Sequence, residues 1–310
     1  MNKTISFFLG LFALLSFAAC NSAPQQTSAD IAVNRPKHVI LVGFDGFSSY
    51  SLNNEAEMPT LREMMKKGAY DLKGRSVLPS SSAVNWASMF MGAGPELHGY
   101  TEWGSRSPDL PSRVVNKDNR FPNIFGLYRE QHPKAEIGYL FEWEGMHYLV
   151  DTLAMNYRKQ VPLSNRNPEG ALSLATSYIK EKKPNLMAVI FDQPDGIGHR
   201  HGWTSKEYFD QMTFLDGCLK QLLEAVKEAG IMEETVIIVT SDHGGIDKGH
   251  GGKTMDEMER PVIFYGKGIK KGFEVKESTM IYDLAATLAV MLDVQQPQVW
   301  IARPMMSIFE

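Results

Sequence analysis

Cysteine is nearly absent: the 310-residue chain carries two, Cys20 and Cys218. A disulfide framework is therefore excluded as the source of its stability. A large excess of either charge is also missing. With 32 basic against 36 acidic residues the net charge is −4, and there is no global basic footprint of the kind that binds a nucleic-acid backbone. No internal repeat is present. The apolar run at residues 5–17 is too short and wrongly flanked for a transmembrane helix. What remains is 43% hydrophobic and 22% charged, the composition of a globular protein long enough to bury a large core. The 17 methionines are scattered, as core filler is, rather than gathered into one binding face.

The first twenty residues, "MNKTISFFLGLFALLSFAAC", place Lys3 before the apolar run and small residues after it. That layout reads as a signal peptide over residues 1–19. Small residues ending in cysteine resemble a bacterial lipobox, which implies cleavage before Cys20 and lipid on its thiol. The expectation is an exported lipoprotein of the bacterial cell envelope, held to the lipid bilayer at Cys20. Phe17 stands where leucine is usual, so an exported protein without the lipid also fits. Residues 20–35 are polar and rich in Ser, Gln and Pro, a flexible tether. With Cys20 lipidated, Cys218 is the one thiol left. It lies in an amphipathic helical stretch and reads as buried and structural.

From residue 36 to 310 apolar runs alternate with helical periodicity. Strands are expected at "HVILVGFD" (38–45), "AEIGYLF" (135–141), "LMAVIFD" (186–192), "TVIIVTSD" (235–242) and "RPVIFYG" (260–266), with another entering Pro79. Helices are expected over 58–70, from Ser82 through "NWASMFMG", and over 121–133, 169–184, 205–229 and 282–293. Alternation of this kind predicts a single α/β domain, a mainly parallel sheet with helices on both faces. Residues 99–119 are irregular and polar-aromatic, longer than a plain connection, and read as a small insertion at the substrate.

Ligands gather outside the carboxyl ends of parallel strands, so the acids that close the apolar runs carry the chemistry. Asp45 follows the first. "QPDGIGHRHG" supplies Asp195 and His199 after "LMAVIFD". "TSDHGGIDKGHGG" (240–252) supplies Asp242, His243 and His250. Carboxylate oxygen and imidazole nitrogen are the mixed donors that zinc accepts, and manganese or iron to a lesser degree. Glycines 244, 245, 249, 251 and 252 leave the backbone room to fold around an ion. Asp192 is read as facing solvent or a helix dipole, because Asp195 has the better spacing to His199. His201 reads as a solvated loop residue and His98 as a structural hydrogen-bonder. His38, His132, His147, Asp247 and Lys248 are given no role.

A nucleophile is offered by "VLPSSSAVNWASMF" (77–90), where three serines precede a helix. A serine there meets unpaired N–H groups and the positive end of the dipole. The same pattern also suits Ser82 as a plain N-cap.

Asp45 after the first strand, Ser82 with Asn85 three residues on, "PDGIGH", "SDHG" and the later His250 together resemble the alkaline phosphatase superfamily. The resemblance is strongest to its type I phosphodiesterase/nucleotide pyrophosphatase family. It runs from about Pro36 to the C-terminal "YDLAATLAVMLD" and "ARPM". It implies an alkaline-phosphatase-like fold and two divalent ions, zinc. Asp195, His199 and His250 would hold one; Asp45, Ser82, Asp242 and His243 would hold the other. Ser82 would attack phosphorus, and Asn85 with the nearby backbone N–H groups would hold a non-bridging oxygen.

The implied activity is hydrolysis of a small phosphate ester, a phosphodiester or pyrophosphate, through a phosphoseryl intermediate. A phosphomonoesterase or phosphoryl transferase of the same superfamily stays open, as does a lipoprotein that binds a phosphorylated ligand without turnover. Ala83 and Trp86 stand where nucleotide-cleaving members carry an aromatic residue and a histidine. A sulfatase would need Cys/Ser-x-Pro-x-Arg at the nucleophile, which "SSSAVN" lacks. Tyr100, Trp103, Glu142 and Trp143 are expected on the leaving-group side.

Overall fold

The computed structural model describes residues 34–52, 56–162 and 168–310. The expected signal peptide and Cys20 lie outside the described residues, as does nearly all of the tether.

The strands are β1 (His38–Phe44), β2 (Ala69–Arg75), β3 (Ile137–Phe141), β4 (Tyr157–Gln160), β5 (Leu186–Phe191), β6 (Thr235–Thr240), β7 (Glu259–Gly266) and β8 (Phe273–Glu274). The described helices are α1 (Pro59–Lys67), α2 (Ser82–Met91), α3 (Pro95–His98), α4 (Ile124–Gln131), α5 (Glu169–Lys182), α6 (Asp195–His201), α7 (Lys206–Glu228), α8 (Met255–Met258) and α9 (Asp283–Leu292). The strands form one sheet in the order β4-β3-β5-β1-β6-β7-β2-β8. From β4 to β6 all neighbours run parallel, and β7 is antiparallel to both β6 and β2.

The apolar runs are continuous because both faces of the sheet are covered. Along β1, Val39 and Leu41 enter one core while Ile40, Val42 and Phe44 enter the other. On β6, Val236 and Ile238 go one way, Ile237 and Val239 the other. Residues of α2, α4 and α9 fill the first core, and residues of α1, α5 and α7 fill the second. Cys218, on α7, is buried and free, as its stretch of sequence predicts. α1 is anchored by the buried Asp216 of α7, whose carboxylate accepts from the N–H groups of Thr60 (2.9 Å) and Leu61 (2.8 Å). Those are two of the donors a helix start leaves unsatisfied.

Three expectations need correction. The strand expected to enter Pro79 ends at Arg75, and residues 76–81 are irregular. β4 and β8 were not anticipated; at four and two residues they are too short for a periodic signal. His201, expected in a loop, instead ends the short helix α6 formed by "DGIGHRH". That turn puts Asp195 and His199 four residues apart on one helical face.

Candidate metal centre and active site

β5, β1 and β6 are adjacent and parallel, so their carboxyl ends open on one place. The backbone binds the ends together. Asp195 N–H donates to the Asp45 carbonyl at 2.9 Å, Gly46 N–H to Asp242 Oδ1 at 3.2 Å, and Phe47 N–H to Ser241 Oγ at 2.8 Å. All seven expected metal-ligating residues meet here in two linked groups.

In the first group His199 Nε2 and His250 Nε2 each lie 3.5 Å from Asp195 Oδ1 and 3.1 Å from one another. In the second, His243 Nε2 lies 3.5 Å from Asp45 Oδ1, 3.3 Å from Asp242 Oδ2 and 3.2 Å from Ser82 Oγ. Ser82 Oγ is 3.5 Å from Asp45 Oδ1. Asp195 belongs to both groups: donor atoms of Asp45, Asp195 and His243 also lie within 4.8 Å of one another. The sequence placed Asp195 with the first group alone.

The imidazoles are oriented as metal ligands. His243 Nδ1 faces the Gly244 carbonyl at 2.7 Å, His250 Nδ1 the Ser80 carbonyl at 3.0 Å, and His199 Nδ1 the Lys248 carbonyl at 2.9 Å. A carbonyl accepts only from an N–H, so each proton sits on Nδ1 and each lone pair on Nε2. Every Nε2 points into the acid cluster, the outer-shell pattern of metal-bound histidine. The lone pairs of His199 and His250 then face each other at 3.1 Å with no proton of their own between them. Asp242 Oδ2 is buried without a hydrogen-bond donor among the described residues.

Burial pushes Asp242 up to about 7 and holds Asp45 well above the carboxylate range, where the charges of Asp242, Asp195 and Asp192 add to the effect. Burial also pushes His243 down to about 4 and His250 to about 3. Ionised acids and neutral imidazoles crowded together are costly to bury alone and are satisfied together by a divalent cation. The donor set therefore fits a metal.

Trp86 steadies Asp45. Its buried indole N–H donates to Asp45 Oδ2 at 3.1 Å, which leaves Oδ1 to the cluster. The ring lies against Gly43, where a Cβ would sit 2.5 Å from it. Only glycine allows that approach.

Ser82 opens α2, with Ser81 as the N-cap residue. Asn85 does not face the cavity. Its fully buried amide accepts from Val77 N–H (2.7 Å) and donates to the carbonyls of Val77 (3.2 Å), Pro79 (3.0 Å) and Ser81 (3.1 Å). The expectation that it holds a phosphate oxygen is corrected: both of its N–H donors are spent on shaping the 77–81 loop that presents Ser82. Ala83 N–H is also committed, to the Trp103 carbonyl at 3.3 Å. Asn85→Ala strips several buried backbone groups of their partners at once. We expect it to lower unfolding free energy by about 2–4 kcal/mol, read as a lower urea midpoint.

A cavity of about 690 Å³ lies over the cluster, lined by Asp45, Ser82, Asp195, His199 and His250 together with Ser81, Glu102, Trp103, Trp143 and Asp192. Trp103 and Trp143, expected on the leaving-group side, line the cavity. Tyr100 and Glu142 do not line it. Tyr100 is buried with its hydroxyl donating to the Tyr148 carbonyl at 2.9 Å. Glu142, which burial pushes up to about 7, accepts from Asp192 N–H at 2.8 Å. Asp192 corrects the sequence reading, because it faces the cavity. It closes an apolar run as Asp45 and Asp242 do, and that shared position was the available signal. Glu102 had none beyond its place in the insertion. His98 is structural as expected, buried with Nε2 at 2.9 Å from Ser88 Oγ.

The family model of type I phosphodiesterase/nucleotide pyrophosphatase matches residues 39–265, a stretch that includes every residue of the two groups. The chain belongs to that family. Among its curated relatives, venom phosphodiesterase 2 of Crotalus adamanteus is 26% identical over 216 residues, covering 66% of this chain and 26% of that protein. Human bis(5'-adenosyl)-triphosphatase ENPP4 is 24% identical over 230 residues, covering 70% of this chain and 49% of that protein. This family member therefore spans between about a quarter and a half of the length of those relatives. Its fold is shared with murine ectonucleotide pyrophosphatase/phosphodiesterase 5 in complex with AMP, at TM-score 0.70 and 17% identity, covering 84% of this chain and 96% of that one. A 2-O GAG sulfatase superposes with TM-score 0.70 at 15% identity, covering 87% and 73%. The fold of the alkaline phosphatase superfamily, read from the sequence motifs, is the observed one.

Proposed function

We propose that this chain is a two-metal hydrolase of phosphodiester or pyrophosphate bonds that works through a phosphoseryl intermediate on Ser82. The observation that carries the reading is Ser82 Oγ, at the head of α2 and open to the cavity, set 3.2 Å from His243 Nε2 and 3.5 Å from Asp45 Oδ1. Asp195, His199 and His250 would hold one ion, and Asp45, Asp242, His243 and Ser82 the other. Zinc is the ion that this mixture of imidazole and carboxylate favours. When bound, two such ions supply Lewis acidity to the attacking and leaving oxygens and lower the serine pKa.

Ser82 enters the reaction ionised, its proton released to solvent. Its oxygen bonds to phosphorus as the bond to the leaving alkoxide breaks. Water then cleaves the phosphoseryl ester and restores the hydroxyl. Every histidine of the cluster has its Nδ1 on a carbonyl and its Nε2 turned inward, so none serves as a separate general base. The amide of Asn85 keeps the 77–81 loop in the shape that aims Ser82.

Among the described residues no lysine or arginine lines the cavity. A monoester dianion brings one more charge than a diester and finds no extra cation there, so the diester is favoured. Two of the relatives named above, a venom phosphodiesterase and a bis(5'-adenosyl)-triphosphatase, support the same bond class. With zinc added, kcat/KM for bis-p-nitrophenyl phosphate should exceed that for p-nitrophenyl phosphate by at least about tenfold. A monoester preference would overturn the substrate class. The N-terminal pattern supports an exported enzyme of the bacterial envelope, tethered by lipid at Cys20 and acting on small phosphate esters outside the cytoplasm.

A further inference from the structure

The two ends of the sheet differ in charge. At the carboxyl ends of β1, β5 and β6 lies the cavity, lined by Asp45, Glu102, Asp192 and Asp195 and by no lysine or arginine. The other end carries lysine at strand after strand. β1, β3, β5 and β6 run parallel, and β2 points the same way because β7 is antiparallel to both β6 and β2. The segments that enter these five strands and the turn that leaves β7 therefore share the end opposite the cavity. Across the sheet from β3 to β2 they bring Lys134 before β3, Lys183 before β5, Lys37 before β1, Lys227 before β6, Lys271 after β7 and Lys66 before β2. All six side chains are exposed. With neighbouring strands about 4.8 Å apart, the row runs about 24 Å across the end of the sheet.

Counter-charge is scarce along this row. Lys37 pairs with Glu234 at 3.6 Å. Lys66, Lys134, Lys183, Lys227 and Lys271 have no ion pair among the described residues. Of the acids at this end, Glu228 is taken by Lys180 at 3.3 Å and Asp293 by Arg35 at 2.9 Å. Glu181 and Glu233 are left to offset part of the row. A row of like charge on a solvated face attracts an extended anionic partner.

The place of the row in the chain favours a bilayer over a nucleic acid. Asn34 stands at the same end, its carbonyl oxygen 2.8 Å from where a Cβ on Gly268 would lie, and Lys37 N–H donates to the Glu234 carbonyl at 2.9 Å. Residues 20–33, which would carry the lipid, thus join the domain beside the lysines. Fully extended they reach at most about 50 Å, about the width of a globular domain of this size. To set the cavity on the bilayer that holds Cys20, the tether would have to be drawn out along the whole domain. With the lysines on that bilayer it stays slack.

We propose that the lysine row at the amino end of the sheet docks on an anionic lipid bilayer and turns the cavity away from it. Substrate then arrives from the water side, not from the membrane that anchors the enzyme. This orientation rests on the reading of the chain as lipid-tethered at Cys20, and it names the face that meets the bilayer.

The test is lysine acetylation by a water-soluble succinimidyl ester, read residue by residue by mass spectrometry. The full chain is placed on phosphatidylcholine vesicles and on vesicles with about 30% phosphatidylglycerol. Acetylation of Lys66, Lys183 and Lys271 should slow at least about fivefold on the anionic vesicles. About 0.5 M salt should restore it, since screening shortens the reach of the surface charge. Lys206, just after α6, and Lys253, three residues beyond His250, lie at the cavity end and should react alike on both vesicles. Equal rates at the row, or slowing spread evenly over all five lysines, would overturn the docking face. Protection by dissolved DNA as strong as that by the vesicles would overturn the bilayer as its occupant. If the chain fails to float with phosphatidylcholine vesicles, the tether reading fails instead. The row is then judged on the anionic vesicles alone: salt-sensitive flotation with them supports docking, and its absence overturns it.

Discussion

Ser82→Ala is expected to remove phosphodiester turnover, lowering kcat/KM by about a thousandfold or more. The reason is geometric. Ser82 is the residue of the three-serine run whose Oγ reaches both Asp45 Oδ1 and His243 Nε2. Ser80 is spent elsewhere, its hydroxyl donating to the Gly252 carbonyl at 2.7 Å. Ser81 lines the cavity, but its hydroxyl meets neither metal-ligating residue within hydrogen-bond distance. Ser81→Ala should therefore cost no more than about tenfold, and the pair of variants tells nucleophile from neighbour. Because an alanine leaves all metal-ligating side chains but one in place, Ser82→Ala should still bind zinc and fold. Retained turnover in that variant would sink the phosphoseryl mechanism. Absence of turnover in the unaltered protein, with substrate still bound, would favour a lipoprotein that captures phosphorylated ligands.

Chelation is expected to have the second large effect: loss of activity together with a drop in melting temperature that grows with pH. Asp242 sits at about 7 in the metal-free fold against an ordinary 3.8, because burial disfavours its charge. A raised folded value means that its contribution to stability is present below the unfolded value and is lost as pH rises through 7. Above that pH the metal-free fold carries a buried, ionised carboxylate that only a cation compensates. His243 and His250, pushed down by burial to about 4 and about 3, stay neutral over this window. Their depressed values contribute stability above the ordinary histidine value, lost as pH falls towards the folded ones.

Zinc held by Asp242 would compete with one proton below pH 7, and its affinity should fall by about tenfold per pH unit there. Scanning calorimetry with and without zinc should give a larger stabilisation at pH 8 than at pH 5.5. Equal shifts at the two pH values would show that Asp242 is not a ligand. His250→Ala should remove one ion's worth of zinc from the metal content, as it takes away a ligand of the first group and leaves the second intact.

Much of the fold was legible because it is written in short-range pattern. β1, β5 and β6 announce themselves as apolar runs closed by acids, and the covering helices by their periodicity. Asp195 and His199 could be paired from a four-residue spacing, and Asp242, His243 and the later His250 stood within nine residues. β2, β4 and β8 were harder. β2 mixes buried and exposed positions, and the other two are too short to carry a period.

The directions of side chains were another matter. Asn85 has the spacing of a ligand-binding residue, yet its amide turns back onto residues 77–81. Trp86 looked only like a departure from a family pattern until its indole was found on Asp45. Asp192 looked like a surplus acid until the fold placed it in the lining of the cavity.

The sequence by itself determined most of the strands and helices, which acids and histidines follow them, and that a run of serines opens a helix. Those properties depend on residues a few positions apart. Only the tertiary structure decided that β5 and β6 flank β1, that Asp195 stands in both candidate groups, and that Trp103, Trp143, Glu102 and Asp192 line one cavity. These arrangements join residues from tens to nearly two hundred positions apart in the chain. They come from how the sheet pairs its strands and from the close packing on its two faces, which no local pattern encodes.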